Sequence, residues 1–370
     1  MFISQLELTN FRNIEKSELA FSESTNLIVG PNGAGKTNIL EALYYCGTGR
    51  SFRTHFDENL IRRDTEFFRL VSEGQIDPHQ VTVEVGVEPG SRKMIKVNSA
   101  PLKKLADLYQ YFRLVEFSPY DLDLVIGPPS SRRRFLSLTI SQSAPAHIAL
   151  LSDYSKLLAQ RNALLKDYQE RGNLSEQMET TLAIWDENLA QSAVEINTVR
   201  AEFIDQLSPL ATDFYNRISG HDEDFKLMYT PSPRLPEFTA ENFAAKLKSR
   251  RRRELAMGQT LYGPHRDELQ FLVKDAEARS YASQGQIKTA VLSVKLAQHQ
   301  YLKDKLEQAP VMLLDEIYSD LDRKRLGFIT DLLPDLGQTF VTTSKTSEIN
   351  DLSIFICKHR IEGGIPTELK

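Results

Sequence analysis

A chain of 370 residues, 41% hydrophobic and 26% charged, has ordinary globular composition: long enough for two domains and too apolar for extended disorder. Its net charge of -5 excludes a protein that coats nucleic acid by bulk attraction, while leaving room for a local basic face. Two cysteines, Cys46 and Cys357, without paired spacing or a histidine cluster, exclude structural zinc and a disulfide framework. No apolar run is long enough to span a bilayer, so the expected location is the cytoplasm, with no membrane partner.

The first elements read as strands. "FISQLELTNFRNIEKSELAF" alternates in polarity, and "TNLIVG" is an apolar strand running into "GPNGAGKT". A helix is expected over 37–45, giving the strand, loop and helix that make this pattern a phosphate-binding loop. Gly30, Gly33 and Gly35 carry no side chains that would crowd backbone amides turning toward an anion. Pro31, Asn32 and Ala34 fill the loop, and Asn38 follows it. Lys36 is the residue expected to reach the β and γ phosphate oxygens, and Thr37 to ligate magnesium. The expected cofactors are ATP and Mg2+.

"FRLVSEGQ", "HQVTVEVGVE" and "KMIKVNS" then read as short antiparallel strands. At Pro128 the texture changes: "GPPSSRRR" leads into helical spacing, with Leu151, Tyr154, Leu158 and Leu165 on one face. After "ERGN" the pattern resumes with Leu182, Leu189, Ile196, Phe203 and Leu207, which predicts a long helical hairpin. An irregular or short-stranded stretch follows from Gly220 to Thr239, then a helix from Ala240 to about Arg253, and "QTLYGPHRDELQFLV" turning into a strand.

The last third predicts a helix after "YASQGQ", an apolar strand "VMLLDE", the helical "DRKRLGFITDLLPDL" and a strand "QTFVTTS". Asp315, where the apolar run ends, is the expected second magnesium ligand. Glu316 is the expected catalytic residue that polarises the attacking water, acting with Lys36. Ser283 is placed to cap the helix that follows, and Gly285 to allow close approach of an anion to its start. The predicted fold is an α/β phosphate-loop ATPase head with mixed sheets, assembled from both chain ends (1–127 and 254–370), around a helical insertion domain (128–253) with a short antiparallel hairpin.

"NFRN" at Asn10, "GPNGAGKTNILEALYYCGTGRSFRT" at Gly30, "FSPYDLDLVIGPPSSRRRFL" at Phe117, "GQTLYGPHRDEL" at Gly258, "SQGQ" at Ser283 and "LLDEIYSDLD" at Leu313 together resemble the ATP-binding-cassette ATPases of the chromosome-maintenance type. More closely, they are similar to the bacterial RecF family of recombination and repair proteins. The resemblance spans essentially the whole chain. It implies that ATP joins two heads face to face, with Ser283, Gly285 and Gln286 of one copy completing the γ-phosphate site of the other. It implies that Asp320 and Asp322 lie across that interface, and that Arg12 and Asn13 approach the nucleotide.

The resemblance further implies a weak, DNA-stimulated ATPase. Its substrate would be gapped or single-strand/duplex junction DNA, and its partners RecR and, functionally, RecO, RecA and single-strand-binding protein, with RecA loading as the outcome. Two departures stand out. "VTTSKTSE" has no switch histidine, leaving Thr343 or Ser344 as the nearest γ-phosphate sensor, and "EFSPYD" replaces the usual switch glutamine. Basic clusters at Arg132 to Arg134, Arg250 to Arg253, and Arg50 with Arg53 are candidate contacts to DNA phosphates. Two other readings of the residues stand beside this one: a phosphate-loop kinase of small molecules, and an ATP-binding architectural protein without turnover.

Overall fold

The computed structural model describes every residue except 173–174, 221–222, 321, 346–351 and 370, and every side chain among them except 319, 320 and 352. It divides into two compact units. The first comprises Met1–Leu122, Asp213–Asp222 and Gln284–Lys370, the second Asp123–Thr212 and Glu223–Ser283.

In chain order, β1 (Phe2–Phe11) and β2 (Ile14–Ala20) form a hairpin closed by Arg12 and Asn13. The turn puts Arg12 at φ 57, left-handed backbone that a bulky residue adopts only when its surroundings hold it there. Strand β3 (Thr25–Val29), buried at every position, enters the phosphate loop, and α1 (Lys36–Thr48) leaves it. Strands β4 (Phe68–Ile76), β5 (His79–Val87), β6 (Met94–Val97) and β7 (Ala100–Pro101) extend the hairpin into an antiparallel sheet of order β2-β1-β4-β5-β6-β7. Strand β8 (Leu114–Phe117) ends this part of the first unit.

The second unit carries α2 (Pro129–Ser143), α3 (Ala146–Arg171) and most of α4 (Glu176–Ser219), which continues past Thr212 into the first unit. Its other elements are β9 (Phe225–Thr230), α5 (Ala240–Met257), β10 (Glu268–Val273), β11 (Ala276–Glu277) and α6 (Ala278–Tyr281). The apolar face read from the sequence is its core: Tyr154, Leu189, Ile196, Phe243 and Leu247 are buried together, with Leu151 and Leu158 against them. β10 pairs antiparallel with β9, so the strand after "GPHRDEL" belongs to this unit. The unit therefore runs on to Ser283, whereas the sequence placed 254–283 with the head; strand pairing at long range decides this, and local composition carries no trace of it.

The first unit resumes with α7 (Gln284–Leu306), β12 (Val311–Leu314), α8 (Ile317–Asp320), α9 (Arg323–Leu332), β13 (Thr339–Thr343), β14 (Cys357–Glu362) and β15 (Ile365–Glu368). The second sheet has the order β15-β14-β3-β13-β12-β8, parallel except for the terminal β14-β15 pair. Chain ends meet here, since β3 lies between β13 and β14. Helix α1 packs against β1, β4 and β5 of one sheet and β8 and β13 of the other. All its residues but Thr37 and Asn38 are buried, as a helix enclosed by two sheets requires. The two unburied positions are those that open onto the loop.

Candidate functional site

The phosphate loop is fixed by close packing at its glycines. A Cβ on Gly30 would lie 2.3 Å from the Ile361 carbonyl oxygen, so only glycine lets β14 pass this close. Gly33 has φ 78 with nothing within 4 Å of where its Cβ would stand, so backbone conformation and not space is what favours glycine there. The N–H of Gly364, in the β14-β15 turn, donates to the Ala34 carbonyl at 2.9 Å, and Asn13 Nδ2 donates to the Gly33 and Ala34 carbonyls at 3.2 and 3.3 Å. Asn38 Nδ2 donates in turn to Asn13 Oδ1 at 2.7 Å. The hairpin tip and the C-terminal turn thus brace the loop by engaging its carbonyls.

Lys36 is almost fully buried at the loop's mouth. Its Nζ donates to the Gly30 and Pro31 carbonyls at 3.0 and 3.1 Å and pairs with Glu316 Oε1 at 2.7 Å. Thr37 and Asp315, 278 residues apart in sequence, meet with the hydroxyl donating to the carboxylate at 3.0 Å. Asp315 also accepts from the Thr342 hydroxyl at 2.7 Å, and the Glu316 N–H donates to that same hydroxyl oxygen at 2.8 Å. Burial raises the Asp315 carboxyl to about 6, against the lowering effect of the Thr342 and Thr37 hydrogen bonds. A buried carboxylate in this state gains from a divalent cation.

The donor set fits a nucleotide triphosphate with magnesium. Among the described residues no group of three or more His, Cys, Asp or Glu could hold a metal alone. The Thr37 hydroxyl and the Asp315 carboxylate match a hard cation that takes its remaining ligands from phosphates and water, and the glycine-rich loop matches the phosphates themselves.

Glu316 sits at φ 50, left-handed backbone that is costly for a glutamate. The Ser344 N–H and hydroxyl reach its Oε2 at 3.2 and 3.4 Å. Of the two sensor candidates, Ser344 therefore faces Glu316, while Thr343 is buried and its hydroxyl accepts from the Lys345 N–H at 3.0 Å. Thr342, which no motif in the sequence marks, touches both acidic positions.

Glu41 is a second residue that the sequence does not mark. Fully buried on α1, it accepts from Arg12 Nε and Nη2 at 2.9 and 2.7 Å, from Arg53 Nη1 at 3.1 Å and from the Ser51 hydroxyl at 2.5 Å. Arg12 and Arg53 with Asn13, Asn38 and Asn59 line a recess of about 660 Å³ on the first unit. A glutamate inside "TNILEALYY" reads as a solvent-facing residue until the hairpin tip folds onto it.

Helix α7 begins at Gln284, directly after Ser283; Ser283 and Gln284 are exposed, and Gly285 and Gln286 half-buried. Arg325 of α9 donates from Nη2 to the Gly285 carbonyl at 3.1 Å and from Nε to the Thr289 hydroxyl at 2.8 Å, and pairs with Asp322. The Asp320 side chain lies outside the described ones. In "EFSPYD", the segment that replaces the switch glutamine, Asp121 pairs with Lys295 of α7 at 2.6 Å and Glu116 with the same lysine at 3.3 Å; Lys295 and Glu116 are buried and Asp121 half-buried. Burial, with repulsion from Glu116, lifts the Asp121 carboxyl to about 8. The segment that replaces the switch glutamine therefore carries a charge cluster.

The "GQTLYGPHRDEL" motif is the polar hub of the second unit. Thr260 accepts from buried Arg161 at 2.8 Å, His265 Nδ1 meets the Tyr154 hydroxyl at 2.7 Å, and Asp267 pairs with Arg200 at 2.8 Å. Glu268 pairs with Arg132 at 2.6 Å. The expectation that Arg132 and Arg133 face DNA is corrected here: Arg132 is buried on Glu268 and the Leu124 and Gly127 carbonyls, and Arg133 donates to the Asp267 carbonyl at 3.0 Å. Arg53 is likewise engaged on Glu41. On α5, by contrast, Arg250, Arg252 and Arg253 are exposed, while Arg251 turns inward to Asp186 at 2.6 Å.

Among the described residues no helix is long and apolar enough to cross a membrane. The family described as RecF/RecN/SMC N terminal domain matches residues 2–360. The DNA replication and repair protein RecF of Acetivibrio thermocellus is 36% identical over 347 residues, covering 92% of this chain and 93% of that protein. Its namesake in Bacillus cereus strain G9842 is 36% identical over 376 residues, covering 100% and 99%. A solved structure of the recombination mediator protein RecF with ATP, in the RecFOR pathway, matches at TM-score 0.91 and 32% identity, over 100% of this chain and 98% of that one. The Smc head domain of Pyrococcus furiosus shares the fold at TM-score 0.56 and 17% identity, over 100% and 96%. A phosphate loop and an acid-ended strand joined from the two chain ends, on an ABC-type head with a helical insertion, are thus matched along the whole length, and the chain belongs to the RecF family of the RecF/RecN/SMC ATPases.

Proposed function

We propose that the chain is an ATP-dependent DNA clamp acting in recombinational repair and replication-fork maintenance. In this reading Gly30 to Thr37 surround the triphosphate, Lys36 leaves Glu316 for the phosphate oxygens, and Thr37 with Asp315 holds magnesium, which supplies charge neutralisation at the phosphates. Glu316, released from Lys36 and held by Ser344, polarises the attacking water. Arg12 and Asn13, fixed by Glu41 and the loop carbonyls, contact the nucleotide from the hairpin tip.

Ser283, Gly285 and Gln286 complete the site of a second copy, so ATP drives homodimer formation and slow hydrolysis, stimulated by DNA, ends it. The observation that carries this reading is the meeting of Thr37 and Asp315 at the loop, alongside the exposure of Ser283 and Gln284 at the start of α7. A helix start offers a favourable dipole to an anion.

DNA is read through its phosphates. The three exposed arginines of α5 offer backbone contacts without base specificity, and pairing two copies doubles that surface. The substrates are gapped or single-strand/duplex junction DNA, and the bound state recruits RecR and, through it, RecO for exchange of single-strand-binding protein by RecA. The test is equilibrium binding of gapped and fully duplex DNA with and without ATP. The reading expects ATP to tighten binding to gapped DNA at least tenfold, with a weaker effect on blunt duplex. Equal binding in every arm would remove it.

A further inference from the structure

Arg325 is the third residue of α9, and nothing in the phosphate chemistry above uses it. Its guanidinium nevertheless has partners on three sides. Nε donates to the Thr289 hydroxyl at 2.8 Å, Nη2 donates to the Gly285 carbonyl at 3.1 Å, and Nη1 pairs with the Asp322 carboxylate. Thr289 Oγ1 donates to the same Gly285 carbonyl at 2.9 Å, so this first turn of α7 is held from two directions. Asp322 caps α9, its Oδ1 accepting from the Arg325 N–H at 3.0 Å. One side chain thereby closes a loop between the start of α7 and the end of the "SDLD" segment.

The placement runs against helix electrostatics, because a cation beside a helix N-terminus opposes the macrodipole. Asp322 offsets that cost within the single chain. A planar fork that bonds a carbonyl, a hydroxyl and a carboxylate at once is geometry that lysine cannot supply.

We infer that Arg325 is a positioning residue that fastens the α7 start at Gly285 and the α9 cap at Asp322 into one rigid piece, so that both meet the nucleotide of a second copy of this chain together. The inference rests on the composite site proposed above. Two segments presented independently would each lose freedom on pairing, whereas a pre-joined pair loses it once, before the second copy arrives.

The test compares Arg325→Ala and Arg325→Lys with the parent protein. Hydrogen exchange on the full chain without nucleotide reads the fastening directly: Arg325→Ala is expected to speed exchange at 285–289 and at 322–326 together, at least tenfold, with unfolding temperature and the exchange of β3 and β12 unchanged. Nucleotide titration at low protein concentration is expected to stay within twofold of the parent. Sedimentation with ATP is expected to show pairing weakened at least tenfold and kcat reduced by a similar factor, with Arg325→Lys retaining less than a third of the parent's pairing or turnover.

Exchange unchanged in either segment would overturn the fastening. Exchange that rises while pairing and kcat match the parent would overturn its purpose. If the parent itself does not pair with ATP, the composite site falls, and the exchange result alone still decides whether Arg325 joins the two segments.

Discussion

Nζ of Lys36 lies 2.7 Å from Oε1 of Glu316, so the lysine of the phosphate loop and the carboxylate past the end of β12 neutralise each other across the loop's mouth. Each is then unavailable to phosphate or water until the other lets go. Glu316→Gln removes the competitor for Lys36 together with the proposed base. The expected outcome is ATP held roughly tenfold more tightly, the worth of ~1.4 kcal/mol of lost pairing, with hydrolysis slowed by about 100-fold or more. Equilibrium nucleotide binding and single-turnover hydrolysis check the two halves; an unchanged rate would assign the water to another group.

Glu41 anchors Arg12 and Arg53 from a fully buried position. Glu41→Ala is expected to cost about 2 kcal/mol in unfolding free energy, below the ~3–5 of a wholly buried pair, because both arginines reach solvent. Nucleotide affinity should fall with it, since Arg12 loses its orientation. Thermal unfolding and nucleotide titration on the same preparation measure both. Full stability with unchanged affinity would show that the hairpin tip does not need this carboxylate.

Burial holds His147, His265 and His299 down at about 4. For His299 the partners define the tautomer: Nε2 lies 3.1 and 2.9 Å from the Pro310 and Leu336 carbonyl oxygens and donates to them. The unfolded chain takes up these protons at about pH 6.5 and the folded chain only near 4, so stability is lost as pH falls through that window, on the order of 2–3 kcal/mol per histidine at its foot. Asp315 and Asp121, raised in the fold, act in the opposite sense over part of the same range. The clean measurement is therefore a difference. His299→Gln, which keeps an N–H donor for the two carbonyls, should flatten the slope of stability against pH between about 6.5 and 4 by close to one proton.

The arginines of α5 and α2 should separate by function. Reversing Arg250, Arg252 and Arg253 to Glu should leave unfolding unaffected, weaken DNA binding without sequence preference, and make the slope of log affinity against log salt shallower by about 2–3. Arg132→Gln, which strands Glu268 in the second unit, should lower stability first. Titrations of one DNA across a salt series compare them, and an unaltered slope in the α5 variant would move the DNA surface elsewhere.

What was legible in the sequence divides along physical lines. Gly30, Lys36 and Thr37 stand out as a loop because backbone turning toward an anion demands particular residues at fixed local spacing, and Asp315 stands out as the acid that ends an apolar strand; the fold brings Thr37 and Asp315 into contact. The faces of α3 and α4 were readable for the same reason, through helical period. Glu41, Thr342, Gly364 and Arg325 act through neighbours brought from tens to hundreds of positions away, so no local pattern marks them. The run at Arg132 misled because a charge run does not say which of its members turn inward; Glu268, 136 residues on, settles that. The extension of the second unit to Ser283 was hidden likewise, since β10 declares its partner only by pairing with β9.

Completion of the nucleotide site by Ser283 of a second copy is the claim on which the clamp depends. Sedimentation of the parent and of Ser283→Arg, each with and without ATP, tests it most directly. ATP is expected to double the mass of the parent, while Ser283→Arg binds the nucleotide with parental affinity and remains a single copy. A parent whose mass ignores ATP, or a Ser283→Arg protein that pairs as the parent does, would contradict it.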